Sequence, residues 1–531
     1  MAGETDRMHR QRINLIAIAL LLMAALNALL FWIRTLGQPL IDVHSFRQTQ
    51  TALTAFWLQP GLSGILNYET PVLGAPWEVP FEFPLYQLIV AALARSAWLD
   101  LSLSGRVVSL IFGLGAMAMA IALLRQYGFS RLAQLIFATL YLSSSIYLYW
   151  NRSFMIESTA LFFTLTALFL YGRSLRTIDD LTPLRRLLPA AGFALSLTLA
   201  MLVKATTALS IFLLISCHLL WHLLRRSTRR SPILLANSLA LLAGVAIAFF
   251  ALREWTHHAD ALKSLNPYGL KLTSTALRDW NFGNLHHRFS RDLWQGVLIK
   301  RMMTKDAWLP LVLLLATALW QSRKDRRRIG CILVCILLGV MPLLLFSNLH
   351  IVHNYYQSAN HIFLLLAIAG SGALILERPL QPALIQVMVA AILLFYVIAD
   401  AKVFKKDYLD YANKQSDEKL EISGLINTST DASSAILVLG DDWYSSFPYL
   451  SRRRALVLPR WYEKGSFSEQ GVLSDPSARL KPYRLGAIVT DKPLNPDTLA
   501  RICPSAQQAA PVDQGRWSLY VCSTGPKTLA Q

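Results

Sequence analysis

The chain alternates long apolar runs with short polar stretches. Apolar runs long enough to cross a bilayer as helices lie at 13–34, 104–124, 131–150, 155–173, 187–203, 206–224, 231–252, 307–320, 329–346, 357–375 and 383–400. This pattern predicts an α-helical polytopic membrane protein with about eleven spans. The first run follows a basic N-terminus and has no clear cleavage site, so we interpret it as an uncleaved span.

One further apolar run, FPLYQLIVAALARSAWL at 83–99, is ambiguous. Counting it as a span would reverse the side of every later loop. The basic clusters at 225–230 and 323–328 would then lie opposite the basic N-terminus, against the positive-inside bias. We therefore predict that 83–99 is a juxtamembrane helix, amphipathic or re-entrant, and that Pro84 occupies its first turn.

This assignment places the N-terminus in the cytoplasm and collects the unusual polar residues on the extracytoplasmic side. That side receives the first loop, 35–103, and the polar segment 253–306, which we expect to form short surface helices acting as a lid. It also receives the tail, whose short β-rich runs at 435–440, 455–459, 486–491 and 518–522 predict a small α/β domain. The expected domains are therefore a transmembrane domain, 1–400, and a C-terminal periplasmic domain, 401–531.

Composition agrees with membrane insertion. The 531 residues are 54% hydrophobic and 16% charged, a balance that no single soluble core could bury. The net charge of +19 comes from clusters between apolar runs, which indicates membrane orientation, so we expect no nucleic-acid partner. Cys503 and Cys522 in the tail are natural disulfide partners if the tail faces an oxidising compartment, although they could also be two buried thiols.

The stretch PLIDVHSFRQTQTA, 39–52, follows the first apolar run and carries the first candidate chemistry. Asp42 could act as a base for an acceptor group, or it could simply end the helix. His44 and Arg47 are neighbours that could bind substrate or pair with other acids. Later in the same loop, Glu78 and Glu82 could orient an acceptor or join Asp42 around a divalent cation, and they could equally be ordinary loop acids.

Three candidates lie beside apolar runs. The turn NRSFMIES, 151–158, supplies Arg152 and Glu157; the acid could complement a helix dipole or serve function at membrane depth. Lys204 interrupts two adjacent apolar runs, 187–203 and 206–224, at their junction. It could snorkel to the interface, or it could provide a cation for a departing lipid phosphate.

The turn NLHIVHNYYQ, 348–357, supplies His353, Tyr355 and Tyr356. None of the histidine segments has a close zinc-ligand spacing. We expect these rings to form a rim over a polar substrate, although surface histidines without a role are an equal alternative.

Taken in order, these features resemble the GT-C class of membrane glycosyltransferases. The sequence is most similar to the bacterial protein O-mannosyltransferase-like and aminoarabinose-transferase-like enzymes, which use polyprenyl-phosphate-linked sugars. The resemblance implies that Asp42 is the first-loop catalytic acid, Glu157 the second-loop acid and Lys204 the cation at the lipid phosphate. Glu78 or Glu82 would match a further first-loop acid.

Three departures from the family pattern leave the sugar and acceptor open. Val43 follows Asp42 where protein mannosyltransferases have Glu, Glu157 stands where Asp is usual, and the surface helix begins FPLY instead of PPLY.

The resemblance implies transfer of a sugar from a polyprenyl-phosphate donor to a lipid, glycan or protein acceptor on the outer face of the bacterial inner membrane. We expect inverting direct displacement. No cofactor is certain, and a divalent metal ion at Asp42 or Glu157 stays open. The first alternative is a lipid-linked glycan polymerase or ligase. A transporter is less favoured, since the polar residues gather on one side and no repeat is evident.

Overall fold

A computed structural model describes residues 2–175, 183–226, 228, 231–378, 381–508 and 512–522. The described chain is mostly helical and carries a small sheet near its C-terminus. It divides into two compact units. The first unit comprises Met1–Leu36, Arg106–Glu254 and Arg278–Asp410, and the second comprises Gly37–Gly105, Trp255–Leu277 and Tyr411–Gln531.

Helices account for most of the chain from its N-terminus to the tail. The α-helices of the first half are α1 (Ala2–Thr35), α2 (Ser45–Trp57), α3 (Leu62–Leu66), α4 (Leu85–Ala97), α5 (Leu101–Gln126), α6 (Arg131–Ser143), α7 (Ser145–Trp150), α8 (Glu157–Ser174), α9 (Pro183–Leu224) and α10 (Pro232–Leu265). Those of the second half, before the sheet, are α11 (Arg278–Phe282), α12 (Leu285–Phe289), α13 (Trp308–Gln321), α14 (Arg326–Leu345), α15 (Ser347–Val352), α16 (His361–Leu376), α17 (Ala383–Phe404), α18 (Asp410–Ala412) and α19 (Glu418–Ser429).

Six helices among the described residues are long and apolar enough to cross a membrane. They are Gln11–Thr35, Leu101–Gln126, Leu188–Leu224, Pro232–Leu265, Arg326–Leu345 and Ala383–Ala412. A membrane protein with many spans is therefore supported, while the predicted number of eleven is not confirmed. The predicted run 131–150 divides into α6 and α7 at Ser144. The predicted runs 187–203 and 206–224 both lie within α9, which consists of two helices that meet at a kink at Lys204. Residues 227, 229 and 230 of one basic cluster lie outside the described part.

The predicted surface helix at 83–99 corresponds to α4, with Pro84 as its N-cap residue. The polar segment 253–306 begins as the end of α10 and continues as a 3₁₀ helix (Gly269–Leu272), α11, α12 and a π-helix (Asp292–Met302). A further 3₁₀ helix, Asn354–Ala359, follows α15, and a π-helix, Lys405–Leu409, follows α17. Short helices thus replace a plain linker in this segment.

The tail folds around a five-stranded sheet. Its elements are β1 (Ala435–Leu439), α20 (Ser446–Ser451), β2 (Arg454–Val457), α21 (Glu469–Ser474), α22 (Ser477–Leu480), β3 (Leu485–Thr490), α23 (Pro496–Ile502), a 3₁₀ helix (Pro504–Gln508), β4 (Val512–Gln514) and β5 (Trp517–Val521). The strand order is β2-β1-β3-β5-β4, and β1 lies parallel to both β2 and β3. Every residue of β1 is buried, as expected for a central parallel strand covered on both faces. The predicted β-rich runs match four strands, and β4 was not predicted.

The second unit joins parts of the chain that are far apart in sequence. In the first loop, Val72 accepts a hydrogen bond from the Val457 amide (2.9 Å), and the Gly74 amide donates to Ala455 (3.1 Å), so the loop covers the edge of β2. Asn266 donates to the carbonyl of Pro76 (2.8 Å). The first loop, residues 255–277 and the tail share one hydrophobic core. The unit thus contains more than the tail, because apolar residues from all three segments are buried together.

Cys503 and Cys522 are disulfide bonded, with their Cα atoms 4.7 Å apart. The bond ties the end of α23 to the residue after β5. The free cysteines of the described chain are Cys217, Cys331 and Cys335.

Candidate active-site residues

Lys204 marks a break in a long apolar helix of the first unit. Its backbone is extended (φ −160°, ψ 94°) inside α9, at the point where the sequence placed a hinge. The side chain is buried, and its ammonium pairs with Oε1 of Glu157, the first residue of α8. The structure therefore brings together two residues that the sequence separates by 47 positions.

Two tyrosine rings lie over the Lys204 ammonium. Nζ is 5.1 Å from the ring centre of Tyr355 and 4.6 Å from that of Tyr356, within cation–π range. The two rings stack with centroids 4.7 Å apart, and His353 stacks on Tyr355 at 5.3 Å. The predicted His-Asn-Tyr-Tyr turn thus contacts the predicted lysine within one compact unit.

Glu157 keeps one carboxylate oxygen for a further interaction. Oε1 receives the lysine ammonium, whereas Oε2 is buried and has no hydrogen-bond partner among the described residues. Leaving a buried carboxylate oxygen unbonded is costly. Such a group at a buried ion pair can accept a hydrogen bond from a bound molecule.

Arg152 is buried in the turn 151–158, which also carries Glu157, in the first unit. Its guanidinium lies 4.4 Å from the ring centre of Tyr149 and 5.7 Å from that of Phe31. This stacking suits arginine, whose weakly hydrated planar group is favoured against aromatic faces. Arg152 thus provides a second buried cation in the first unit.

Asp42 belongs to the second unit and is held by the start of α2. It is 5% exposed, and Gln48 Nε2 donates to its Oδ1 at 2.5 Å. The Asp42 carbonyl accepts the Ser45 amide (3.0 Å), and His44, the N-cap of α2, has a left-handed backbone (φ 53°). A non-glycine residue in that region is strained, which is common at functional sites. The carboxylate is therefore fixed in orientation.

The other first-loop candidates form a separate contact in the same unit. Arg47 pairs with Glu82 and donates to Gln50. The Tyr68 hydroxyl donates to the Glu82 carbonyl (2.7 Å), and burial, with the nearby Glu82 carboxylate, raises the pKa of Tyr68. Glu78 is half-buried, and within the described chain it has no ion-pair partner. Glu82 is thus engaged by Arg47, while Glu78 is open.

The residues proposed as metal ligands do not fit a divalent cation well. The described residues contain no group of three or more His, Cys, Asp or Glu side chains that could hold a metal ion. Glu157 is already neutralised by the Lys204 ammonium, which would repel a cation. We therefore assign no chemical step to a metal.

Sequence reasoning missed contacts made by the loop after β1. Tyr444 Oη lies 3.0 Å from Ser45 Oγ, three residues from Asp42. The Phe46 ring packs edge-on against Trp443 and Tyr444, with centroids 4.8 and 5.1 Å apart. The sequence offered only one sign, the polar and aromatic run Asp-Asp-Trp-Tyr directly after a buried strand.

The comparisons with known proteins agree with the predicted resemblance. Residues 101–261 match the family model described as dolichyl-phosphate-mannose-protein mannosyltransferase. Because this is a family of glycosyltransferases, the match confirms the prediction of a GT-C glycosyltransferase. A sequence search of curated proteins finds no match to this chain.

Solved structures with a similar fold include ArnT from Cupriavidus metallidurans bound to undecaprenyl phosphate. That structure is 12% identical, with a TM-score of 0.57, and the match covers 95% of this chain and 99% of that one. The apo form of the same enzyme gives 13% identity, a TM-score of 0.57 and coverage of 96% and 100%. A variant of the arabinofuranosyltransferase AftD from Mycobacteria is 14% identical, with a TM-score of 0.53. That match covers 95% of this chain and 41% of the other. At sequence identities this low, the similarity shows a shared fold alone.

Proposed function

We propose that this protein transfers a sugar from a polyprenyl-phosphate-linked donor to a cell-envelope acceptor, which is a lipid, glycan or protein, on the outer face of the inner membrane. The observation that carries the proposal is the buried Lys204–Glu157 pair beneath Tyr355 and Tyr356 at a break in an apolar helix. A buried cation of this kind is suited to a phosphate that gains charge as it leaves. The bound undecaprenyl phosphate of the similar ArnT structure supports this donor class.

In the proposed reaction, an acceptor hydroxyl or amine attacks the anomeric carbon of the donor sugar. The bond from that carbon to the phosphate oxygen breaks, and the polyprenyl phosphate leaves with the bonding electrons. Asp42, oriented by Gln48, takes the proton of the attacking group. Lys204 stabilises the leaving phosphate, and Arg152 adds a second cation. One displacement inverts the anomeric centre, whereas retention would need a carboxylate nucleophile.

The other predicted residues have supporting roles in this proposal. Glu157 holds Lys204 and offers Oε2 to the bound donor. His353, Tyr355 and Tyr356 form the aromatic wall on the lysine. Arg47 and Glu82 brace the first loop, Glu78 is open to the acceptor, and His44 begins the helix that follows the proposed base. The proposed orientation has a cytoplasmic N-terminus and a periplasmic tail.

A donor comparison tests this proposal. Purified protein in liposomes would receive envelope extract and one of two radiolabelled donors, a polyprenyl monophosphate sugar or the matching diphosphate, across a panel of pentoses and hexoses. We expect transfer from a monophosphate donor only. Preference for diphosphate donors would instead support the polymerase or ligase alternative.

Replacing Asp42 with Asn tests the proposed base. Because Asn cannot take the proton, we expect Asp42→Asn to lower the transfer rate by about 100-fold or more, in line with the usual loss of a general base, while the protein still folds. Asp100→Asn is the matched control, because Asp100 is an exposed acid of the same unit whose oxygen accepts the Ser102 amide (2.8 Å), a bond that Asn retains. Full transfer by Asp42→Asn would remove Asp42 from the mechanism.

A further inference from the structure

The carboxyl ends of β1 and β3 form a topological switch point in the tail. The chain leaves β1 for β2 on one side and then crosses to β3 on the other, and both neighbours are parallel to β1. In open α/β sheets, ligands bind in the crevice outside the carboxyl ends of strands at such a point. The loops that follow β1 and β3 meet here, since a Cβ on Gly440 (φ +89°) would lie 2.2 Å from Asp491 Cγ.

The loop after β1, residues 440–444, lies beside side chains of the kinds that bind sugars. Trp443 and Trp461 have ring centres 5.6 Å apart, inclined at 55°. Asp442 and Arg460 are exposed beside them. The Arg460 amide donates to Asp442 Oδ1 (2.9 Å), and its guanidinium donates to the Gly440 carbonyl (3.2 Å). Aromatic faces suit the apolar face of a sugar ring, and a carboxylate and a guanidinium suit its hydroxyls.

This loop is held rigidly from below. The ammonium of Lys419 bonds to both carboxylate oxygens of the buried Asp441, at 2.6 and 2.8 Å. It also lies 4.1 Å from the ring centre of Tyr444. Asp442 (φ 43°) and Trp443 (φ 55°) both have left-handed backbones, which non-glycine residues adopt only where their surroundings impose it. The loop is thus built to present these two side chains.

The same loop touches the helix that follows the proposed base. Tyr444 meets Ser45, and Phe46 packs on Trp443 and Tyr444, three and four residues after Asp42. All these residues belong to the second unit. If Asp42 receives the acceptor proton, loop 440–444 is a neighbouring surface that the remainder of the acceptor can contact.

We propose that Trp443, Trp461, Asp442 and Arg460 form a subsite for a saccharide portion of the acceptor. This inference rests on the proposed function, because the link to the acceptor depends on Asp42 as the base. It narrows the acceptor class to a glycan or a glycolipid with a sugar headgroup. Tyr444 and Phe46 connect this subsite to the reacting group.

Binding is measured separately from turnover. Oligosaccharides released from the cell envelope by mild acid would be titrated by calorimetry, without donor, into the full chain carrying Asp42→Asn, in which transfer is slowed. We expect binding that Trp443→Ala weakens by at least tenfold. Trp98→Ala is the control, because Trp98 is a 95% exposed indole of the same unit. Oligosaccharide binding that is absent altogether, or that Trp443→Ala leaves unchanged, would overturn the subsite.

Steady-state kinetics distinguish an acceptor subsite from a loop that only positions Asp42. In the active protein, Asp442→Asn retains the oxygen that accepts the Arg460 amide, so folding should be preserved. We expect Asp442→Asn and Trp461→Ala to raise the KM for acceptor at least tenfold without a comparable fall in kcat. A fall in kcat with the acceptor KM unchanged would mean that the loop only positions Asp42. If wild-type protein binds oligosaccharide through Trp443 but transfers no sugar, the proposed function fails, and loop 440–444 stands as a saccharide-binding site that serves no transfer.

Discussion

At the scale of single residues, the buried ion pair of Lys204 and Glu157 is the most informative feature. Both side chains are 4% exposed or less, within helices that are otherwise largely apolar. A buried ion pair gains little net stability, because desolvation of two charges offsets their attraction. Its presence therefore points to function, and the open Oε2 of Glu157 points the same way.

Charge removal at Lys204 should separate its electrostatic role from its structural one. Lys204→Met alone leaves Glu157 buried without its cation and should destabilise the protein, by roughly 3–5 kcal/mol. The double variant Lys204→Met/Glu157→Gln removes both charges, so its unfolding midpoint should recover. We expect its transfer rate to stay about 100-fold or more below wild type, since the leaving phosphate loses the Lys204 ammonium and keeps only Arg152. Transfer by the double variant at the wild-type rate would show that the pair is structural.

At the scale of elements, the short helix α15 ties together the polar segment that follows α10. Arg301 of the π-helix Asp292–Met302 donates to the carbonyls of His350 (2.9 Å) and Ile351 (3.2 Å). Asn348 donates to the Trp280 carbonyl (2.8 Å). These contacts all lie within the first unit. The turn that carries Tyr355 and Tyr356 therefore continues from an anchored helix.

The protein should lose stability in acid because of His350 in α15. Burial, together with the Arg301 charge, lowers the pKa of His350 to about 3. The unfolded chain takes up a proton near pH 6.5 and the folded one does not, so the free energy of unfolding falls as pH drops from about 6.5 towards 3. The loss approaches about 1.4 kcal/mol per pH unit.

Thermal unfolding in detergent at pH 7.5 and pH 5 measures this effect. His350→Gln should reduce the difference between the two midpoints. The exposed His257 provides the matched control, and His257→Gln should leave the difference unchanged. Equal pH dependence in wild type and His350→Gln would show that His350 is not the group responsible.

At the scale of the whole molecule, the disulfide reports the compartment of the tail. Cys503 and Cys522 are bonded, and such bonds persist in oxidising compartments. Protein isolated without reductant, then denatured and treated with a mass-tagged maleimide, should gain three labels, on Cys217, Cys331 and Cys335. After reduction it should gain five, the full number of cysteines in the chain.

A double Cys503→Ser/Cys522→Ser variant is the control, and it should gain three labels under both conditions. Five labels on unreduced wild-type protein would place the tail in a reducing compartment. That result would contradict the proposed orientation, in which the tail is periplasmic.

Much of the local structure was predictable because it depends on neighbouring residues. Short β-rich runs between turn residues located β1, β2, β3 and β5 to within a residue or two. The short strand β4 was missed, since its three residues carry no apolar pattern. The number of spans was not confirmed, because some predicted apolar runs form helices of fewer than 18 residues, among them Trp308–Gln321 and His361–Leu376.

The sequence by itself determined that the chain is a membrane protein and which residues are unusual for their setting. A lysine or acid beside an apolar run stands out because burying charge is costly. Only the tertiary structure decided which of these residues meet: Lys204 with Glu157 and the two tyrosines, and Ser45 with Tyr444 across 399 positions. Such pairings depend on packing between distant segments, and local periodicity carries no information about them.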